Sequence, residues 1–471
     1  MQKPMPGSPV RSRRLTRLSR ACVLAAATFL AAVPASAQPA ASGAIQQGPL
    51  TLSQAYRAAM EQDATIRAVR ATTDAKRERL PQARSQLLPN ISASASRNKN
   101  DLTSTTPGLG GLPVTNDEKY TSSSRALTIR QPIFRPYQLA DYRQAGAQVA
   151  DANAQLDKET QNVAVRVVTA YLEALLAQEQ LSLVLAQKNT YGTQLDSARK
   201  RFTAGAGVRT DIDEAQARLD LAVARELEAR QNVDYTRRAL QVLVNMPVTA
   251  LAPLDPGKLR LLRPEPDRLE DWTQRAEITS PEIRSLTAQR EAARYEIDKA
   301  RSGHMPTLDA IAQWSVSDSD NVTRVNSKYD NKAIGLQLNI PIFAGGQVNS
   351  QTRQAVAELE RAEQSLEALR RDLSLRVERE FRGITEGVAR VGALEQAVRS
   401  SEIMVQSNKR SFEGGSRTLV DILNAEEQRV TALRDLAQAR YQYILSRIRL
   451  QALAGTADEA TIAEVDAWLK P

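Results

Sequence analysis

Thiol nucleophiles, histidine metal clusters and histidine-based triads need cysteine or histidine, and the chain has one of each, Cys22 and His304. A histidine metal cluster is therefore ruled out, and a Ser-His-Asp triad would depend wholly on His304. A solvent-facing histidine near a helix end explains that residue better. Phosphate chemistry would need a glycine loop, and Gly205-Ala206-Gly207 and Gly414-Gly415 are the candidates. Neither is followed by Gly-Lys-Ser/Thr, and no strand pattern leads into either. A turn between two helices, using positive φ, accounts for both. Acid–base chemistry would need carboxylates gathered in a pocket, but Asp and Glu are scattered, and only 4% of residues are aromatic. The sequence predicts a protein that is not an enzyme and needs no cofactor.

The elements that position the remaining polar motifs begin with a leader. Lys3, Arg11, Arg13, Arg14, Arg17 and Arg20 precede an apolar run, Ala21 to Val33, and then Ala35-Ser36-Ala37. That pattern predicts a signal peptide over 1–37, followed by a mature N-terminal extension over 38–48. Cys22 lies at the start of the apolar run rather than after it, so acylation is not expected. The whole chain carries 63 basic and 54 acidic residues. Six of the basic ones belong to the leader, so the mature charge falls from +9 to +3. Nucleic-acid binding is not expected of so weak a balance.

The mature sequence is a tandem duplication. Leu52, Ala59 and Ile66 recur as Leu269, Ala276 and Ile283, and Ala83-Arg84-Ser85 as Ala300-Arg301-Ser302. Pro132-Ile133-Phe134 recurs as Pro341-Ile342-Phe343. Phe202, Gly205, Asp211, Ile212 and Ala215 recur as Phe412, Gly415, Asp421, Ile422 and Ala425. The expected division is repeat one over 49–250, a linker over 251–266, repeat two over 267–454 and a C-terminal segment over 455–471. The copies differ in length between Pro89 and Pro132. There DLTSTTPGLGGLPVTNDEK (101–119) faces the shorter SDSDNVTRVNSKYDN (317–331), and both read as exposed loops.

Each loop separates two candidate strands, about 90–97 and 120–133 in repeat one and 307–316 and 333–342 in repeat two. Leu308, Ala310, Ala312, Trp314 and Val316 alternate, as do Ile334, Leu336, Leu338 and Ile340. The first pair is more polar and is assigned through the duplication. Elsewhere the pattern is helical. Val377, Phe381, Ile384, Val388 and Val391 form a coiled-coil stripe, with Val167, Tyr171, Ala174 and Leu181 as its counterpart. Helical hairpins are expected to turn near 203–210 and 413–418, on helices roughly 100 Å long.

Four strands cannot close a barrel, and open sheet edges are not tolerated in lipid. Several copies must therefore supply one barrel, with a tube of long helices beneath it. A pore-less periplasmic or surface coiled-coil protein is the alternative, but it leaves the duplicated strand pairs unexplained.

The sequence resembles the TolC-type outer-membrane efflux and secretion channels across nearly the whole mature chain. The resemblance rests on LTLSQAYRAAMEQDATIRA (50–68), the paired QPIF and IPIF strand ends, and the turn motifs RFTAGAGVRTDIDEAQARL (201–219) and SFEGGSRTLVDILNAEEQR (411–429). It implies a homotrimer with a shared twelve-stranded β-barrel in outer-membrane lipid, continued by an α-helical barrel. It also implies docking to a periplasmic adaptor and an inner-membrane pump of ABC or RND type. In such a channel Asp421 falls at the pore constriction, with Asn424 where a second acid is common. Asp211, Phe412 and Arg417 fall at links that hold the closed state. Phenylalanine at 412 departs from a common tyrosine and removes one hydroxyl. Phe202, Gly205 and Gly415 fall at the tip that meets the adaptor. The expectation for the gate is that Arg417 pairs with Asp211; N-capping is the simpler role for Asp211 and Asp421.

Overall fold

A computed structural model describes residues 48–108, 110–319 and 327–470. The expected leader, Cys22 and nearly all of the 38–48 extension lie outside the described residues. The elements, in order, are α1 (Leu52–Gln62), α2 (Ala64–Arg77), α3 (Arg79–Ser85), β1 (Asn90–Pro107), β2 (Pro113–Phe134), α4 (Pro136–Thr203) and α5 (Arg209–Val244). The same series follows again as α6 (Leu269–Thr279), α7 (Pro281–Arg301), β3 (Thr307–Ser319), β4 (Ser327–Asn339), α8 (Gln347–Glu413) and α9 (Leu419–Leu453). A short α10 (Glu459–Asp466) completes it.

Local chemistry sets these boundaries. Asp63 ends α1 and caps α2, its Oδ1 accepting from the Thr65 amide at 2.9 Å. Pro136 and Pro281 open α4 and α7, where a missing N–H costs nothing. The long helices α4 and α8 contain 68 and 67 residues, hence roughly 100 Å each. Val377, Ile384, Val391, Val398 and Val405 are all buried, so the heptad stripe continues past its expected end. Near the sheet, α4 and α8 flank α7; near the helical turns they flank α9, and α5 packs on the other side of α4.

A belt of shorter elements surrounds the middle of this layer. Leu50 bridges to Leu251, and Leu254 to Leu469. The C-terminal segment closes the belt: the Leu52 amide donates to Asp466 Oδ1 at 2.9 Å, Arg57 pairs with Glu459, and Trp468 and Leu469 are buried. Tyr171 is its hub. The phenol reaches Leu50 O at 2.8 Å and Ala252 O at 3.1 Å and accepts from the Ala252 amide at 3.1 Å. Burial pushes that phenol's pKa up, so it remains a donor at any physiological pH. Tyr171→Phe leaves the buried Ala252 carbonyl without its phenol partner, while the Ala252 amide and Leu50 O keep only their mutual bond at 3.2 Å. Destabilisation of about 1–3 kcal/mol per chain is expected, read as a lower midpoint in denaturant.

The four strands form one antiparallel sheet ordered β1-β2-β3-β4, with β1 and β4 at its free edges. Its helix-proximal end continues into α4 and α8. The register assigns each face. One carries Ile91 and Ala93 beside Ile129 and Leu127, then Ala312 and Trp314 beside Ile334 and Lys332. Ala310 and Leu308 extend it beside Leu336 and Leu338, and Ile340 and Ile342 follow; these last four on the β4 side, Leu336, Leu338, Ile340 and Ile342, are all exposed. The other face is polar: Ser92 and Ser94, Thr128, Gln313 and Asn331. Within β4 the row from Ile334 to Leu338 spans about 14 Å at ~3.4 Å per residue, and the exposed Ile340 and Ile342 continue the apolar series past the strand end.

Two expectations need correction. Residues 101–119 are mostly strand, with the turn confined to the stretch between Pro107 and Pro113. Thr103 donates to Asp117 at 2.6 Å and Thr105 meets Thr115 at 3.1 Å, so β-branched pairs extend a ribbon that composition alone marks as loop. In repeat two, β4 begins at Ser327 rather than 333 and stops at Asn339, just before Pro341, which has no amide to donate. Residues 320–326 of that loop lie outside the described residues.

Candidate functional site

The two helical turns are built alike because the duplication repeats their caps. Gly205 and Gly415 both have φ of +75°, a conformation that favours glycine. The Ala206 amide donates to Arg201 O and the Ser416 amide to Ser411 O, each at 2.9 Å, which satisfies the last carbonyls of α4 and α8. No strand precedes either turn, and the glycines act as helix stops.

Beyond the glycines the repeats diverge. In repeat two Thr418 caps α9: its Oγ1 accepts from the Asp421 amide at 3.3 Å, while Asp421 Oδ2 accepts from the Thr418 amide at 2.9 Å. In repeat one Val208 occupies the cap and makes no side-chain bond. Asp421 and Asp211 are thus third helical residues rather than N-caps, the capping role at 418 having gone to threonine. Hydrogen bonds from the Thr418 amide and hydroxyl, with Arg417 nearby, hold the Asp421 carboxyl below the usual carboxylate range.

Within the chain Arg417 reaches Asp421, Nη1 to Oδ1 at 3.5 Å, and not Asp211. The Asp211 carboxylate takes no partner among the described residues and is half-buried. Asn424 is exposed and accepts from Arg218 Nη2 at 3.0 Å. The two phenylalanines also part ways. Phe412 packs among Tyr191, Leu195, Ala215 and Leu419, under the Arg201 guanidinium at 4.3 Å. Phe202 is 42% exposed.

Sequence spacing did not reveal Arg218. It sits on α5, pairs with Glu214 at 3.1 Å on its own helix, and reaches across to Glu427 as well as Asn424 on α9. Arg225 joins Glu427 at 3.3 Å. Glu426 is buried against Lys409 at 2.7 Å and Arg429 at 3.0 Å. More than two hundred residues separate Arg218 from its partners on α9, so only the fold brings them together. His304 lies in a short turn after α7 and meets Asn349 at 3.0 Å on the surface. Among the described residues no group of three or more His, Cys, Asp or Glu is arranged to hold a metal, and no helix is long and apolar enough to cross a membrane.

Comparison with known proteins agrees with this geometry. A family model described as outer membrane efflux protein matches residues 55–246 and 272–456. The alkaline protease secretion protein AprF of Pseudomonas aeruginosa is 33% identical, over 89% of this chain and 87% of that protein. The proteases secretion protein PrtF of Dickeya chrysanthemi is 30% identical, over 89% and 91%. Among solved structures, the outer membrane channel CmeC of Campylobacter jejuni superposes with a TM-score of 0.74 across 88% of this chain and 89% of that one, at 14% identity. That likeness concerns the fold.

Proposed function

This chain belongs to the outer membrane efflux protein family, and from that premise we propose that three copies complete one duct by sharing a twelve-stranded barrel. The protein is an outer-membrane exit duct for efflux and protein secretion, with its helices extending into the periplasm. The observation that carries the trimer is the four-stranded sheet with two free edges, apolar on one face and polar on the other. Such a sheet is stable in lipid only when other copies satisfy its edges.

The helical layer supports the same closure. α5 and α8 lie at its opposite margins near the turns, and both keep apolar side chains exposed. Leu221, Tyr235 and Val242 lie on α5, and Leu375 and Ile403 on α8, with separations that are multiples of seven along each helix. Heptad spacing of exposed apolar residues fits a coiled-coil seam between neighbouring copies.

In the assembled duct Asp421 lines the narrowest aperture, flanked by Asn424, which Arg218 holds. Arg417 and the unpartnered Asp211 supply the link that keeps the aperture closed, Arg417 exchanging its weak intrachain contact for Asp211. Phe412 stays packed beside this link, while Phe202, Gly205 and Gly415 present the tip to a periplasmic adaptor. An inner-membrane pump completes the path. The relatives named for protease secretion support protein cargo, handed over by an inner-membrane pump of ABC or RND type.

Deleting the gene tests the cargo. Extracellular protein is expected to fall while susceptibility to a drug panel changes little. The reverse pattern assigns the duct to small-molecule efflux.

A further inference from the structure

We propose that Arg97, Lys99 and Arg125 form a site for the phosphate groups of an anionic lipid in the outward-facing leaflet. The inference rests on the barrel reading above. Cross-strand register places all three side chains on the apolar face of the sheet, one to three rungs beyond its last hydrophobic row. Ala95 pairs with Arg125, Arg97 with Ser123 and Lys99 with Thr121. The row just below is Ala93, Leu127 and Trp314, with Trp314 exposed on the outward face. An outward tryptophan at the end of an apolar band marks the level of lipid headgroups.

The three cations are exposed, and none has an ion-pair partner among the described residues. Neighbouring rungs differ. Lys119 pairs with Asp101 at 3.3 Å one rung farther out, and Thr103 binds Asp117 beyond it. On the β3–β4 half, Lys328 and Lys332 alternate with Asp330, which accepts from Trp314 at 2.8 Å, and Asp318 lies opposite Lys328. The excess positive charge on this face therefore falls on the β1–β2 half, over three successive rungs. Arg97 and Arg125 are diagonal neighbours and Lys99 follows Arg97 on the same strand face, distances at which long cationic side chains repel one another unless counter-charge sits among them. At headgroup depth that counter-charge is lipid phosphate. A headgroup with two phosphates spans two adjacent strands better than a single phosphate does.

The test uses the purified full chain reconstituted into vesicles of phosphatidylcholine alone, or with diphosphorylated or dephosphorylated lipid A. Mass spectrometry then reads the lipid retained after detergent extraction. The wild type is expected to retain diphosphorylated lipid A, and Arg97→Gln/Lys99→Gln/Arg125→Gln to retain on the order of tenfold less, as expected when interfacial cations are lost. A matched variant at exposed, unpaired positions outside the sheet, Arg70→Gln/Arg268→Gln/Arg353→Gln, is expected to behave as wild type. Each single substitution is measured alongside, so that a misfolded triple variant does not decide the outcome. Equal retention by the wild type and the single and triple variants overturns the site. Retention that is indifferent to the lipid's phosphates does the same, as does binding of inorganic phosphate alone with no lipid preference. A wild type that fails to enter neutral vesicles at all contradicts the barrel reading instead.

Discussion

Leu336→Arg is expected to abolish assembly in the outer membrane, whereas arginine at Gln313 is expected to leave it intact. Leu336 is exposed on the apolar face of β4, between Ile334 and Leu338. Gln313 lies on the polar face, with Thr128 and Ala333 as its cross-strand neighbours. An arginine facing lipid at mid-depth costs ~2–4 kcal/mol, and a trimer carries three, so the total of about 6–12 kcal/mol rivals the whole stability of a typical domain. Membrane fractionation separates the cases: Leu336→Arg should leave the outer-membrane fraction and Gln313→Arg should remain there. Equal behaviour of the two would show that the sheet does not face lipid as its register implies.

The second large effect is at the turns. Asp421→Ala is expected to reduce the preference of the open channel for cations by on the order of tenfold, because three carboxylates brought within several ångströms of one axis add their potentials. The preference should survive acidification. Hydrogen bonds to the Asp421 carboxylate lower its pKa, so its charge persists as pH drops through the ordinary carboxylate range and disappears only below it. The stabilising cap at Thr418 follows the same sign: its contribution is full above the ordinary carboxylate range and is lost as pH falls from there through the lowered pKa. Arg417→Ser is expected to raise single-channel conductance in a planar bilayer. Unchanged conductance would remove Arg417 from the closing link.

The duplication made much of this legible. Paired prolines, PIF ends and Gly-bearing turns gave the element order, because each is a local backbone constraint written into residue type. The heptad series of α8, Val377, Ile384 and Val391, was readable for the same reason. β1 and β2 were harder, since only Ile91, Ala93, Leu127 and Ile129 face outward as apolar residues, and the Thr-rich remainder looks like loop until its partners are known. The cap exchange at Thr418 was visible but misassigned, because aspartate suits both the N-cap and the third helical position. The Arg218 links and the Tyr171 hub join segments remote in sequence, and no spacing rule within one repeat reaches them. The C-terminal segment carried no pattern beyond a short helix; its place depends on backbone bonds to Pro253 and Asp255.

Mass measurement of the intact protein, extracted from outer membranes into detergent, bears most directly on the shared barrel. Three times the mass of a single mature chain is the expected result. A single-chain mass, recovered without detergent, would mean that β1 and β4 need no partner and that no common duct exists.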